Sequence, residues 1–308
     1  MRSYRYLHLD VFTDRLFAGN QLAVYLDGRG LSTETMQAIA KEMNFSETTF
    51  VLPAEQPGTD MRVRIFTPGA ELPMAGHPTI GTAFALARAG VLAPPLEQVT
   101  FGLNVGPTPV SLTWKDGALA FAWMTQLQPV FGDPVADLAG AAASLRLPAA
   151  AVAGTGLPVQ KVSCGTPFLF VPLATRRAVD SASFDAAAYE TFRRTAGLEE
   201  LAVFLFTPES SREDKATVYS RLFAPSFGIV EDPATGGASG PLGCYLVRHR
   251  VIAPEKAGAI LSLQGVKMGR PSHIHISIDA GGNDGREIST VRVGGEYVLA
   301  GEGTLYVS

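Results

Sequence analysis

The residues with types and settings suited to chemistry are few. Glu47 stands in the run Phe45-Ser46-Glu47-Thr48-Thr49-Phe50, with hydroxyls on both sides and aromatic rings beyond. A carboxylate that exchanges protons with carbon must sit near its substrate and have its pKa raised toward working pH, usually by partial desolvation. That run offers hydroxyl partners in an apolar setting, although a strand-edge glutamate facing water has the same neighbours. His77, between Gly76 and Pro78, suits donation to a substrate oxygen or proton relay near neutral pH, and equally suits a turn. Asp232 precedes Pro233 and Asn20 closes Ala18-Gly19-Asn20. Local turns account for both of these.

An internal repeat sets some of these residues in matching frames. The first copy reads Arg64-Ile-Phe-Thr-Pro68, Glu71-Leu-Pro73 and Met-Ala-Gly76-His77-Pro-Thr-Ile-Gly81, followed by a helix. The second reads Arg221-Leu-Phe-Ala-Pro225, Glu231-Asp-Pro233 and Ala-Thr-Gly236-Gly237-Ala-Ser-Gly240, again followed by a helix. Between Arg and Glu the second loop is three residues longer. Each copy puts small residues at a helix N-terminus, where unpaired N–H groups and the helix dipole favour an anion. Two such ends facing one cleft would grip a carboxylate or an enolate-like intermediate. Taken singly, either set of glycines is explained by close packing of a buried helix. The duplication, with acidic residues beside both, favours a small anionic substrate. Glu71 and Glu231 occupy the same place in the two copies, which predicts a structural task common to both loops.

The surrounding pattern supplies elements to hold these residues. Strands are expected over Tyr4–Phe12 and Leu22–Leu26. A helix capped by Ser32 follows, with Met36, Ile39, Ala40 and Met43 on one face and its end near Asn44. Ser46-Glu47 opens a strand, Met61–Phe66 alternates in period two, and Thr67–Pro78 reads as loop. Thr79–Ala89 is apolar nearly all round, which predicts a buried central helix closed by Gly90. Gln126–Gly132 reads as the linker, with Asp133-Pro134 starting an alanine-rich helix that runs to about Leu145. Strands near 160–173 and 200–207 flank a helix at about 184–195, and GGNDG (281–285) and Gly294-Gly295 signal turns. The mixture predicts an α+β or α/β class, in two similar domains. The expected division is 1–126, completed by C-terminal strands at about 289–308, and 127–288.

The 308 residues are 46% hydrophobic and 18% charged, enough for two cores of ordinary size. A net charge of −4 leaves no basic footprint for nucleic acid. Cys164 and Cys244 are the only cysteines, too few for a disulfide framework or a cysteine metal cluster, so a reduced compartment is the simpler reading. His273 and His275 alternate along a strand with no third ligand nearby, which favours a solvent-facing strand over a metal site. No run is long and apolar enough for a membrane span, and the N-terminus lacks a signal-peptide pattern. A soluble, cytoplasmic protein is the expectation. Neither a P-loop nor a strand-to-helix GxGxxG is present, so no nucleotide cofactor is predicted.

The segments GNQLAV (19–24), MNFSETTFV (43–51), RIFTPGAELPMAGHPTIGTA (64–83) and RLFAPSFGIVEDPATGGASGPL (221–242) resemble the phenazine-biosynthesis PhzF-like family. The motifs span both halves in order. The resemblance implies a diaminopimelate-epimerase-like α+β fold, with two domains, each a mostly antiparallel barrel-like sheet around a central helix. It implies central helices beginning near Thr79 and Ser239, an active site between the domains, and a homodimer. It implies a cofactor-independent isomerase whose glutamate carries a proton between two carbons, as the namesake does on trans-2,3-dihydro-3-hydroxyanthranilate. That glutamate falls on Glu47, the assisting histidine on His77 and the assisting aspartate on Asp232. Asn20, Ser46, Gly76, Gly236 and Gly237 are the expected substrate-binding positions. One departure is Gly237, where the family commonly has serine; its loss of a hydroxyl bears on which substrate is taken. Related racemases use two cysteines at the helix starts, where this chain has His77 and Gly237. The alternatives carried forward are an epimerase or lyase with the same base, and a non-catalytic small-molecule binding protein.

Overall fold

The computed structural model describes residues 1–282 and 287–307. The first part of the chain forms β1 (Arg2–Val11), β2 (Asn20–Tyr25), α1 (Thr33–Met43), β3 (Glu47–Pro53), β4 (Met61–Phe66) and the two-residue β5 (Glu71–Leu72). Then come α2 (Gly76–Arg88), β6 (Gln98–Leu103), β7 (Gly106–Lys115) and β8 (Ala118–Gln126). The second part begins with β9 (Val130–Val135), α3 (Leu138–Ala143), α4 (Ala150–Ala153), β10 (Val159–Ser163), β11 (Pro167–Pro172), α5 (Arg176–Ser181) and α6 (Ala186–Thr195). It continues through β12 (Ala202–Thr207), β13 (Val218–Ala224), β14 (Ile229–Asp232), α7 (Gly236–Arg248), β15 (Ile260–Gln264), β16 (Ser272–Gly281), β17 (Glu287–Gly295) and β18 (Tyr297–Val307).

The strand pairing repeats. From β18 through β1, β2, β3, β4, β6 and β7 to β8 the neighbours run antiparallel, antiparallel, parallel, antiparallel, parallel, antiparallel, antiparallel. From β9 through β10, β11, β12, β13, β15 and β16 to β17 the same series recurs. The short β5 and β14 add antiparallel to β4 and β13. β8 and β17 pair antiparallel and join the two series into one sheet. The last strand, β18, thus lies against the first, while β17 lies against the seam.

Each series surrounds one apolar helix, so the fold is α+β with two similar halves. α2 packs on β1, β2, β3, β7 and β8, with Ile80, Ala83, Phe84 and Leu86 fully buried among Leu9, Val11, Leu22, Phe101 and Met124. α7 packs on β10, β11, β16 and β17, with Leu242, Tyr245 and Leu246 among Phe170, Phe204, Ile276 and Val291. A helix buried on every face needs no polar stripe, which is why neither sequence shows one. α1 covers the outer face of the first half. Its cap is as expected: Ser32 accepts from the Thr35 N–H at 3.2 Å, and Asn44 ends the helix at φ 53°.

Several expectations are corrected. Asp133-Pro134 does not start a helix: it lies in β9, which among the described residues pairs with β10 alone, so Pro134 sits on an edge that needs no N–H from it. The helix there is only α3, capped by Asp137. The connection between β8 and β9 is correspondingly short, since Gly132 is already in strand. Gly294 and Gly295 belong to β17, where Gly294 lies under the Trp123 ring, and Glu296 separates this strand from β18. The central helices begin at Gly76 and Gly236, three residues earlier than expected. Of the GGNDG signal, 283–285 lies outside the described residues. Among the described residues no helix is long and apolar enough to cross a membrane.

Candidate active site

The starts of α2 and α7 are in backbone contact. A Cβ on Gly76 would lie 2.4 Å from the Gly236 carbonyl carbon and 2.6 Å from the Gly237 nitrogen. A Cβ on Gly236 would lie 2.9 Å from the Gly76 Cα. Glycine at these two positions is therefore dictated by the helix–helix contact itself. Gly237 differs: its Cβ would meet only the Phe168 ring at 3.7 Å and the Gly76 nitrogen at 3.9 Å, which is ordinary contact. Neither helix has a side-chain cap, because Ala75 has nothing to offer and Thr235 gives its hydroxyl to Asp232. The positive ends of two helix dipoles and their uncapped N–H groups thus meet at one cleft.

The strand connections bring the side chains there. β2 and β3 run parallel with Leu22 opposite Glu47, so Asn20 and Glu47, the first residues of their strands, share one end. His77 is the second residue of α2 and Asp232 the last of β14. The Glu47, His77 and Asp232 side chains are all buried. His77 Nε2 lies 3.2 Å from Glu47 Oε2 without hydrogen-bond alignment, and both atoms are buried with no hydrogen-bond partner. Asn20 Nδ2 donates to Asp232 Oδ1 at 2.7 Å and to the Ala234 carbonyl at 2.9 Å, and lies 3.2 Å from His77 Nδ1. The amide has two hydrogens for these three neighbours, so the imidazole contact is at most a shared one. Thr235 Oγ1 donates to Asp232 Oδ2 at 2.5 Å, and Ser46 also hydrogen-bonds this carboxylate. Gln264 Nε2 donates to the Asp232 carbonyl and to Thr235 Oγ1, locking the turn before α7.

Burial sets the electrostatics. It raises the Glu47 carboxyl well above its ordinary range, and the Asp232 charge pushes it further. It also raises Asp232, against the pull of the Thr235, Asn20 and Ser46 hydrogen bonds. It lowers His77 to about 3, opposed by a hydrogen bond with the Gln21 backbone. A neutral imidazole therefore faces a carboxyl that burial holds protonated well above the ordinary carboxylate range.

The structure thus gathers Glu47, His77, Asp232, Gly76, Gly236 and Gly237 around one cleft, with Asn20 and Ser46 bonded to Asp232 behind it. Met74, Thr166, Phe168, Phe227 and Ile229 also line it and were not singled out from sequence. Nor was Gln264. No Lys or Arg is among the described lining residues. The repeat's shared task is visible nearby. Arg64 holds Glu71 through two hydrogen bonds, Arg221 holds Glu231 likewise, and each guanidinium lies over the ring two residues on, Phe66 or Phe223. Cys164 and Cys244 lie outside the cleft lining, buried, with their sulfurs 3.9 Å apart. His273 and His275 are half-buried rather than solvent-facing, and the His275 ring stands edge-on to Phe121. No group of three or more metal-ligating side chains occurs among the described residues.

Comparison with known proteins adds an independent line. The family model described as "Phenazine biosynthesis-like protein" matches residues 9–303. The chain is 36% identical over 307 residues to trans-2,3-dihydro-3-hydroxyanthranilate isomerase of Pseudomonas aeruginosa, covering 99% of this chain and 100% of that one. The solved structure of a Bacillus anthracis phenazine biosynthesis protein of the PhzF family superposes with a TM-score of 0.85 at 25% identity, covering 100% of both chains. A predicted epimerase from Pseudomonas aeruginosa gives a TM-score of 0.79 at 30% identity, covering 99% of this chain and 100% of that one.

Proposed function

The chain belongs to the phenazine biosynthesis-like family and is an isomerase of the PhzF type, and from that premise we propose that Glu47 carries a proton between two carbons of a small carboxylate-bearing substrate. The carboxylate form of Glu47 takes a proton from carbon, leaving an enolate-like anion. The substrate's negative charge rests on the N–H groups of Gly76, His77, Gly236 and Gly237, donors fixed in place before charge develops. Glu47, now protonated, returns the proton to a different carbon and is regenerated. His77, neutral because of its burial, borders the reacting groups without adding charge. Asp232 keeps Glu47 basic by repulsion and is itself held by Asn20, Thr235 and Ser46.

The reading assigns no cofactor, because base, donors and anion holders all come from the chain. A cavity of about 90 Å³ suits a compact small molecule. Because β17 pairs with β16 and only β18 pairs with β1, the proposed boundary moves from about 289 to Glu296: residues 1–126 with β18 would form one domain and 127–295 the other, the cleft lying between. Assembly as a homodimer and a cytoplasmic setting complete the proposal.

The observation that carries it is the meeting of a buried, pKa-raised glutamate with two uncapped helix starts. The test is the Glu47→Gln variant, assayed by mass spectrometry for deuterium uptake from solvent into a panel of small cyclic acids. Wild type should wash deuterium into substrate with mass otherwise preserved, and the variant should lose this by at least about a hundredfold, as for removal of a general base. Full exchange in the variant would refute the mechanism. The likeness to a predicted epimerase favours one second reading, inversion at a single carbon by the same base. Chiral chromatography of the product separates the two, and loss of water would mark a lyase.

A further inference from the structure

Among the described residues, buried polar side-chain atoms without a hydrogen-bond partner are few, and three belong to residues lining the cleft: Glu47 Oε2, His77 Nε2 and Thr166 Oγ1. The first two are accounted for by proton transfer. The third is not. A buried hydroxyl left unpaired costs roughly 1–3 kcal/mol, so its presence calls for a partner that arrives from outside the protein.

The other polar side chains of the lining are already committed. Thr67 Oγ1 donates to the Ala70 carbonyl and accepts from the Gly69 and Ala70 N–H groups. Thr235 and Asp232 hold each other, with Gln264 and Asn20 behind them. Beyond the reacting pair, Thr166 alone among the described lining side chains keeps its whole hydrogen-bonding capacity. It is also firmly placed. It lies in the turn between β10 and β11, where Gly165 bends the chain at φ +127°, a backbone conformation that residues with a side chain rarely adopt. Ser163 Oγ accepts from the Gly165 N–H, and Pro167 restricts Thr166 to extended backbone. Around it the wall is apolar: Met74, Phe168, Leu222, Phe227 and Ile229.

We infer that Thr166 is a specificity-determining residue that hydrogen-bonds a neutral polar substituent of the substrate, a hydroxyl or an amine, away from the carboxylate. A threonine hydroxyl both donates and accepts, so it serves either group. It brings no charge, and among the described residues no Lys or Arg lines the cleft to balance a second carboxylate. The site therefore takes a monoanion with a neutral polar group and rejects a dianion. The inference rests on the proposed reading of the cleft as the carboxylate site.

Its test uses the full chain and inert single-ring acids: benzoate, its 2-, 3- and 4-hydroxy isomers, and isophthalate, with binding measured by calorimetry. Wild type should bind at least one hydroxybenzoate about three- to tenfold more tightly than benzoate, the scale of one net hydrogen bond. Thr166→Val, close to isosteric, should lose that preference while still binding benzoate, and Thr166→Ser should keep it. Thermal melts of both variants confirm that each is folded. A preference absent from wild type, or unchanged in Thr166→Val, overturns the role given to Thr166 and leaves the carboxylate site intact. Isophthalate bound more tightly than benzoate overturns the monoanion requirement. Benzoate binding to none of the three proteins overturns the reading of the cleft and the inference with it.

Discussion

If Glu47 is the base proposed above, stripping it of water is costly to the protein that carries it, and that cost is measurable. The folded pKa of Glu47 is raised, by burial first and by the Asp232 charge second. In the unfolded chain a glutamate titrates near 4.3. Below that pH the carboxyl is protonated in both states and costs nothing. Above it, ionisation is easier unfolded than folded, so stability falls by about 1.4 kcal/mol per pH unit until the folded pKa is reached. Glu47→Gln mimics the protonated form and escapes the penalty. Its melting temperature should match wild type near pH 4 and exceed it at pH 7 to 8. For catalysis the sign is opposite, since the base must be ionised, and the acid limb of kcat/KM should lie well above the ordinary glutamate range. Equal melting curves at all pH values, with an acid limb near 4.5, would show an unperturbed carboxylate. In the sequence the hydroxyl and aromatic neighbours of Glu47 hinted at this setting. Its depth comes from His77 and Asp232, which only the fold brings near.

At the scale of elements, the repeat was legible because it is written in adjacent residues: Arg, then Glu, then a glycine-rich run before an apolar stretch. The exact helix starts were not. Glycine is a poor helix former, so local reading leaves Gly76 and Gly236 in the loops, whereas contact between the two helices draws them into the first turn. Thr166 and Gln264 left no signal at all, because a turn between two strands and a strand end acquire their roles only from what packs across from them. The helix contact also divides three similar glycines into two kinds. Gly76→Ala must push backbone against backbone and should lose about 1–3 kcal/mol of stability together with turnover. Gly237→Ala meets only a ring face at ordinary distance, and removing a helical glycine should leave stability equal or raise it by up to about 1 kcal/mol. Denaturant titration of both variants checks the contrast. A Gly76→Ala protein as stable as wild type would mean that the helix starts are not held in contact.

The whole molecule presents a chain whose ends cross between halves. β17 and β18 are separated only by Glu296, yet β17 pairs with β16 and β8 whereas β18 pairs with β1 along its length. The alternation and turn signals in this tail revealed strands but could not reveal partners, since pairing with β1 spans nearly the full chain. If the two halves are separate cooperative units, the strands divide between them at Glu296. Tyr297 and Leu299 pack on the core around α2, whereas β17 straddles the seam, with Val291 in the core around α7 and Val293 in the core around α2. Amide hydrogen exchange reads this directly, because contiguous units open together. Peptides covering 297–307 should exchange at the rate of 2–11, and peptides covering 287–295 at the rate of 272–281. Mild denaturant should shift the first pair without the second, or the second without the first. If 297–307 instead follows 287–295 under every condition, the division at Glu296 fails, and the cleft would lie within one cooperative unit rather than between two.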